Sequence, residues 1–177
     1  MCEESITEPT SAREAQVLRL ADCPAASVIS LLKRYGLQLT EVSRTADIPG
    51  SYWGDEEAGL QENRLLARPD TPIHSILHEA CHYVCMSPER RKLLDTDAGG
   101  EYVEENGVCF LQVLLADFVE QFDRQRMFLD MDRWGYSFRL GSAQAWFEND
   151  AQDAREFLLL HEIIDKDDEP TWKLRKN

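Results

Sequence analysis

The five residues His78-Glu79-Ala80-Cys81-His82 restrict what this chain can fold into more than any other stretch. They follow the pattern HExxH, in which two histidines four positions apart enclose a glutamate. Residues four positions apart lie on one face of an α-helix, so both imidazoles can point at one metal ion. Two neutral imidazoles suit Zn²⁺, and a glutamate next to the first histidine can reach a water on that metal. The pattern therefore predicts a helix that supplies part of a zinc site.

The residues around the motif favour that helix. Thr71 is a candidate N-cap, Pro72 suits the first helical position, and neither Gly nor Pro recurs until Pro88. Apolar residues flank the motif, as expected of a helix that packs into a core: Ile73, Ile76, Leu77 and Val84. Cys85 follows His82 closely enough to compete for zinc, but a small buried apolar role is the simpler interpretation. The alternative for the whole stretch is a helix with two half-buried histidines and no metal.

Length and charge limit the classes of partner. The chain of 177 residues is expected to form a single domain over residues 1–177, with a frayed N-terminus (1–10) and a charged C-terminal tail (165–177). Its 33 acidic and 19 basic residues give a net charge of −14, which argues against nucleic acid and anionic membranes as partners and favours a peptide or protein of basic character. The five cysteines form no regular framework and read as reduced thiols. With an acidic N-terminus and no long apolar run, the sequence predicts a cytoplasmic protein, of open oligomeric state.

Hydrophobic periodicity predicts an α+β fold, mainly helical, with a small antiparallel or mixed sheet packed on the HExxH helix. The predicted helices cover residues 11–21, 25–35, 72–86, 87–94, 101–128 and 142–164, and 127–140 is irregular or helical. The predicted strands cover residues 37–42, 51–54 and 59–67.

A catalytic zinc usually has a third protein ligand, and the candidates here open the helix predicted over 101–128. Glu104 ranks first because it shares an apolar stripe with Val108 and Leu111, and a carboxylate on a core-facing stripe needs a partner. Glu101 lies one turn earlier and ranks second, and Glu105 points away from the stripe and ranks third. An acidic first turn that complements the helix dipole would also explain all three carboxylates.

The HExxH motif, together with the later stretch from Glu104 to Leu111, resembles the gluzincin zinc metallopeptidases, in particular minigluzincins and the ImmA/IrrE type. Gly107 and Phe110 fit the small and aromatic places of the second stretch if Glu104 is the ligand, whereas Val108 departs from the usual polar residue. The resemblance covers about residues 25–128 and implies an N-terminal helix, a small sheet, the HExxH helix and a ligand-glutamate helix. It also implies that a substrate peptide lies along an edge strand, here the one predicted over 59–67, where acidic neighbours would favour a basic peptide.

The function expected from these residues is hydrolysis of peptide bonds with one Zn²⁺ held by His78, His82 and Glu104, and with Glu79 as the base for the attacking water. A further group is commonly needed to stabilise the oxyanion. The sequence does not choose among the candidates: Tyr52, Tyr83, Tyr102, His74 and His161. His74 could instead lie in solvent near the helix start. Two other functions remain open, namely a catalytically silent metallopeptidase-like domain that binds a partner or senses a ligand, and a helical structural protein with an accidental motif.

Overall fold

The computed structural model describes residues 17–50 and 56–177, and within these ranges the fold is α+β, as predicted. A short 3₁₀ helix covers Leu20–Asp22. The strands are β1 (Gln38–Glu41), β2 (Gly59–Gln61) and β3 (Arg64–Ala67). The α-helices are α1 (Ala25–Arg34), α2 (Ile73–Cys85), α3 (Pro88–Lys92), α4 (Tyr102–Ala116), α5 (Arg124–Trp134), α6 (Ala143–Asn149) and α7 (Gln152–Leu160). The mainly helical composition and the small sheet are thus confirmed.

The sheet is mixed, with the strand order β1-β3-β2. β1 pairs with β3 in parallel, and β2 pairs with β3 antiparallel. The single strand predicted over 59–67 is wrong: it is a hairpin with a turn at Glu62 and Asn63, where Glu62 has a φ of 54°. The polar residues at this point face solvent in the turn, whereas Leu60 and Leu65 on the flanking strands are buried. The strand predicted over 51–54 lies outside the described residues.

Helix α2 carries the HExxH motif and lies at the centre of the core. It packs against α4 on one side and against β2 and β3 on another. Its residues Ile73, Ile76 and Leu77 are fully buried, and its predicted start is close to the observed one. Thr71 does not cap it, because its hydroxyl accepts a hydrogen bond of 2.8 Å from the Arg68 amide and closes the preceding turn instead.

Two long helices of the prediction are each broken in two. The helix expected over 101–128 ends at Ala116, and α5 starts after Asp123, whose carboxylate accepts a hydrogen bond of 2.7 Å from the Arg126 amide. The helix expected over 142–164 is interrupted at Asp150 and Ala151. Both breaks let the chain turn so that α6 and α7 can return to α5 and α4.

Gly107 allows α7 to pack closely on α4. A Cβ atom at this position would lie 2.6 Å from Cδ1 of Phe157, a distance that real Cβ contacts do not reach. The absence of a side chain therefore fixes the separation of the two helices, and with it the position of α4 in the core.

The ends of the chain differ from their predictions. Of the helix expected over 11–21, residues 11–16 lie outside the described ranges, and only Leu20–Asp22 is helical in the rest. The tail predicted to be loose over 165–177 packs on the fold: Trp172 contacts Tyr35 and Phe118, and Arg175 reaches α4. Among the described residues, no helix is long and apolar enough to cross a membrane.

Candidate metal centre

The two histidines of the motif converge on one point. His78 and His82 are one turn apart on α2, and their Nε2 atoms lie 3.1 Å from each other. Their rings meet edge to face, with centroids 4.7 Å apart. The helical spacing of the motif predicted that the two side chains lie together, and the distance between the nitrogens shows how close they are.

Glu105 on α4 closes the group from the opposite side. Its Oε1 lies 3.3 Å from His78 Nε2, and its Oε2 lies 3.4 Å from His82 Nε2. In a tetrahedral zinc site with bonds of about 2.0–2.1 Å, neighbouring donor atoms lie about 3.3 Å apart. The three separations therefore have the length expected between neighbouring donor atoms of such a site, with each Glu105 oxygen facing one imidazole.

Glu104, ranked first in the sequence analysis, is used elsewhere. Its side chain is buried, as the apolar stripe predicted, but its carboxylate pairs with Arg90 Nη1 at 2.7 Å and Arg175 Nη1 at 3.0 Å. Glu101 directly precedes α4 and is exposed. Of the three glutamates only Glu105 contacts both histidines, so the geometry favours it over the first-ranked Glu104.

The reason lies in how α4 is buried. From Gly107 to Ala116 each of its residues is buried, so the helix has several inward faces and not one. The face with Glu104 is turned toward Arg90 and Arg175. The face with Glu105 and Gln112 is turned toward α2. When a helix is buried on several sides, its hydrophobic pattern does not show which of its polar residues faces the site.

Gln112 fixes the tautomer of His78. The His78 Nδ1 atom lies 2.7 Å from the carbonyl Oε1 of Gln112, which can only accept, so Nδ1 carries the proton. In the neutral imidazole this leaves the lone pair on Nε2, the atom that faces His82 and Glu105. Many metal-binding histidines are oriented in this way, by a hydrogen bond that the ring nitrogen away from the metal donates to a protein acceptor. Gln112 is fully buried, and sequence reasoning missed it.

Electrostatics within the group bring unlike charges together. Burial opposes a charge on His78, but Tyr136, Cys109 and Glu105 around its imidazole raise its pKa well above the ordinary value. Burial and the neighbouring His78 lower the pKa of His82 to about 3. Burial opposes the charge of Glu105 as well, yet its contacts with both imidazoles keep its pKa below the ordinary value. The Glu105 carboxylate thus faces the neutral imidazole of His82 and the readily protonated imidazole of His78. A metal cation can take the place of the proton between these groups.

Glu79 lies beside the two histidines, on the same helix. Its carboxylate oxygen is within 4.8 Å of the ligand nitrogens of His78 and His82. Burial raises its pKa to about 7, against the opposing effect of His78. A carboxyl group with a pKa near neutrality can both accept and return a proton.

A cleft of about 940 Å³ opens onto the histidines and Glu79. The segment from Thr96 to Tyr102 lines this cleft, and so do His74, Trp134 and Tyr136. Tyr136 follows α5 directly, and its hydroxyl lies 3.3 Å from His74 Nδ1. Its ring meets that of His78 edge to face at 5.8 Å. Tyr136 was missed because nothing local marks a residue after a helix end as part of a distant site.

The other candidates for the oxyanion position separate into three groups. His74 and Tyr102 line the cleft, and His74 is buried rather than in solvent, with 1% of its surface exposed. Tyr83 packs under Arg91, and His161 packs against Phe157, so neither lines the cleft. Tyr52 lies outside the described residues.

Cys85 is fully buried, in keeping with an apolar role, and burial raises the pKa of its thiol.

Two imidazole nitrogens and a carboxylate are the ligand types that zinc prefers at a catalytic site, and their separations suit it. The residues present therefore fit a zinc ion, held by His78, His82 and Glu105. Comparison of the chain with protein-family models, with curated proteins and with solved structures gave no match.

Proposed function

We propose that this protein is a zinc-dependent peptidase of gluzincin type, with His78, His82 and Glu105 as the metal ligands. The observation that carries the proposal is the meeting of two imidazole nitrogens, 3.1 Å apart, with the two carboxylate oxygens of Glu105, which lie 3.3 Å from His78 and 3.4 Å from His82. The two helices that supply them are distant in sequence. The spacing of an HExxH motif accounts for the two histidines, but not for a carboxylate of a second helix in contact with both. The His78 tautomer that Gln112 selects supports the same proposal.

The remaining residues then take defined roles. Zinc held by this triad supplies a Lewis acid that polarises a scissile carbonyl and lowers the pKa of water. Glu79 accepts the proton of the attacking water and returns it to the leaving amine, a role for which its place beside both histidines suits it. Tyr136 lines the same cleft, and its hydroxyl can donate a hydrogen bond to the developing oxyanion.

The substrate we propose is a basic peptide segment. Carboxylates of Glu57, Asp97 and Glu101 line the cleft in addition to those of Glu79 and Glu105, and no Lys or Arg is among the described lining residues. Such a wall attracts cations and repels anions. None of the lining residues belongs to β2, so the contact with an edge strand that the resemblance implied is not part of this proposal.

A reducing compartment such as the cytoplasm fits the cysteines. The four described cysteines, Cys23, Cys81, Cys85 and Cys109, are unpaired and buried. Disulfides are rare where glutathione and thioredoxin keep thiols reduced.

The decisive experiment compares Glu79→Gln with the parent on two sets of fluorogenic peptides, one with Lys and Arg around the central bond and one with Asp and Glu. We expect zinc-dependent cleavage of the basic set by the parent and a loss of roughly 10²–10⁴-fold in Glu79→Gln, the range typical of a general base. Glu156→Gln, an exposed carboxylate on α7, is the matched control and should behave as the parent.

Each other outcome rejects a definite part of the proposal. Equal cleavage by parent and Glu79→Gln would reject the peptidase, and a preference for the acidic set would reject the substrate class. Zinc binding without cleavage of either set would favour the alternative, a silent metallopeptidase-like domain that binds a partner.

A further inference from the structure

Helices α2 and α4 each present a pair of metal-binding side chains one turn apart. On α2 the pair is His78 and His82, and on α4 it is Glu105 and Cys109. The two helices pack directly against each other, which brings His78 of the first pair next to Glu105 and Cys109 of the second. Two facing helices with ligand pairs at this spacing are a common way to build a metal site inside a helical bundle.

Cys109 is close enough to take part. Its sulfur, a carboxylate oxygen of Glu105 and a ring nitrogen of His78 all lie within 4.8 Å of one another. Among the described cysteines only Cys109 belongs to such a group, whereas Cys81 on the motif helix itself does not.

The surroundings of Cys109 leave room for its sulfur to change position. It lies between the core and a second cavity of about 630 Å³, which shares Tyr102, Glu105 and Tyr136 with the main cleft. In a tetrahedral site with Zn–S of about 2.3 Å and Zn–N of about 2.0–2.1 Å, sulfur and nitrogen lie about 3.6 Å apart. Relative to the His78 nitrogen, which lies within 4.8 Å, the sulfur therefore needs to approach by about 1.2 Å at most.

We propose that Cys109 is an alternative fourth ligand of the zinc ion and that it holds the site closed when no substrate is bound. This inference rests on the proposed zinc site. When the sulfur–zinc bond forms, the thiol proton leaves to solvent and the sulfur takes the place of a water molecule; no group is oxidised or reduced. A soft thiolate competes well for zinc. A site with four protein ligands lacks the open position that hydrolysis needs, so the sulfur must leave before the reaction.

Loading the protein with Co²⁺ in place of zinc tests the ligand set without relying on activity. A thiolate bound to Co²⁺ gives an intense near-ultraviolet charge-transfer band, and a four-coordinate Co²⁺ gives visible bands whatever its ligands. We expect both in the parent, whereas Cys109→Ala should keep the visible bands and lose the charge-transfer band. Cys23→Ala, a buried cysteine remote from the site, is the matched control and should keep both.

The outcomes separate this inference from the zinc site itself. Visible bands without a charge-transfer band in the parent, or an undiminished band in Cys109→Ala, would overturn the role of Cys109 and leave the zinc site intact. A parent that binds no Co²⁺ would overturn both. The closing role makes a second prediction, that zinc-loaded Cys109→Ala cleaves basic peptides several-fold faster than the parent, and equal or slower cleavage would contradict it.

Discussion

Arg175 Nη1 donates a hydrogen bond of 3.0 Å to Oε2 of Glu104 and so ties the C-terminal segment to the helix that supplies Glu105. Arg90 Nη1 pairs with the same carboxylate at 2.7 Å, and Arg90 also donates to the carbonyl of Ala98 in the cleft wall. One buried carboxylate thus connects the tail, the wall and α4. Its role is structural, and the first prediction follows from it.

Glu104→Gln should destabilise the fold. The substitution leaves two guanidinium groups against a neutral amide, and breaking a buried pair typically costs about 3–5 kcal/mol. Because 36% of the Arg90 side chain is exposed and water screens it, we expect a smaller loss of about 2–3 kcal/mol in the free energy of unfolding. Urea denaturation measures it. Glu89→Gln is the control, since Glu89 on α3 is exposed, and an unchanged midpoint for Glu104→Gln would contradict the structural role.

Substitution of Glu105 and substitution of its neighbour Glu104 should differ in their effect on the affinity for zinc. Loss of a supporting contact around a metal typically lowers affinity by about 10–100-fold, so removal of a direct ligand in Glu105→Gln should lower it by more than about 100-fold. Glu104→Gln, measured at a temperature where it is folded, should change the affinity by far less. Competition with a chromophoric chelator gives both values. The reverse order would restore Glu104 as the ligand.

Tyr136→Phe should impair hydrolysis without releasing the metal. Loss of one hydrogen-bond donor to an oxyanion costs about 10²–10³-fold in kcat. The zinc content should stay at the parent value, and KM should change little, because the hydroxyl acts in the transition state. Tyr102→Phe is the matched control: Tyr102 lines the same cleft but is 77% exposed. Equal rates for Tyr136→Phe and the parent would remove Tyr136 from the reaction.

His74 should make the metal-free protein sensitive to acid. Burial lowers its pKa from 6.5 to about 3, so between these values the unfolded chain binds a proton that the folded chain does not. The stabilisation that His74 provides is therefore complete above pH 6.5 and falls by up to roughly 1.4 kcal/mol per unit as the pH decreases toward 3. Urea unfolding with a chelator present, at several pH values from 7 to 4, should give a steeper decline for the parent than for His74→Phe. Parallel declines would contradict this account.

The parts that sequence predicted and the parts that it missed differ in the range of the interactions involved. Local periodicity and capping determine the elements that were predicted correctly, and both can be read from residues that are close in sequence. These elements are the motif helix α2, the strand β1 and the small helix α3, which Ser87 caps. The packing of α4 and α5 on α2, which no local pattern encodes, brings the missed residues Gln112 and Tyr136 to the site. The same packing favours the third-ranked Glu105 over Glu104. The tail was expected to be loose from its charge, yet Arg175 finds the buried partner that α4 supplies. Charge alone does not tell a solvated residue from one that completes a distant ion pair.

The central claim is a zinc site built by two helices, and the zinc content of the purified chain tests it most directly. After dialysis against buffer with trace zinc, we expect one zinc ion per parent chain by elemental mass spectrometry. The His82→Gln variant should hold far less than one, and His161→Gln, which alters a histidine outside the cleft, should hold as much as the parent. A parent without zinc, or equal zinc in the parent and His82→Gln, would contradict the account.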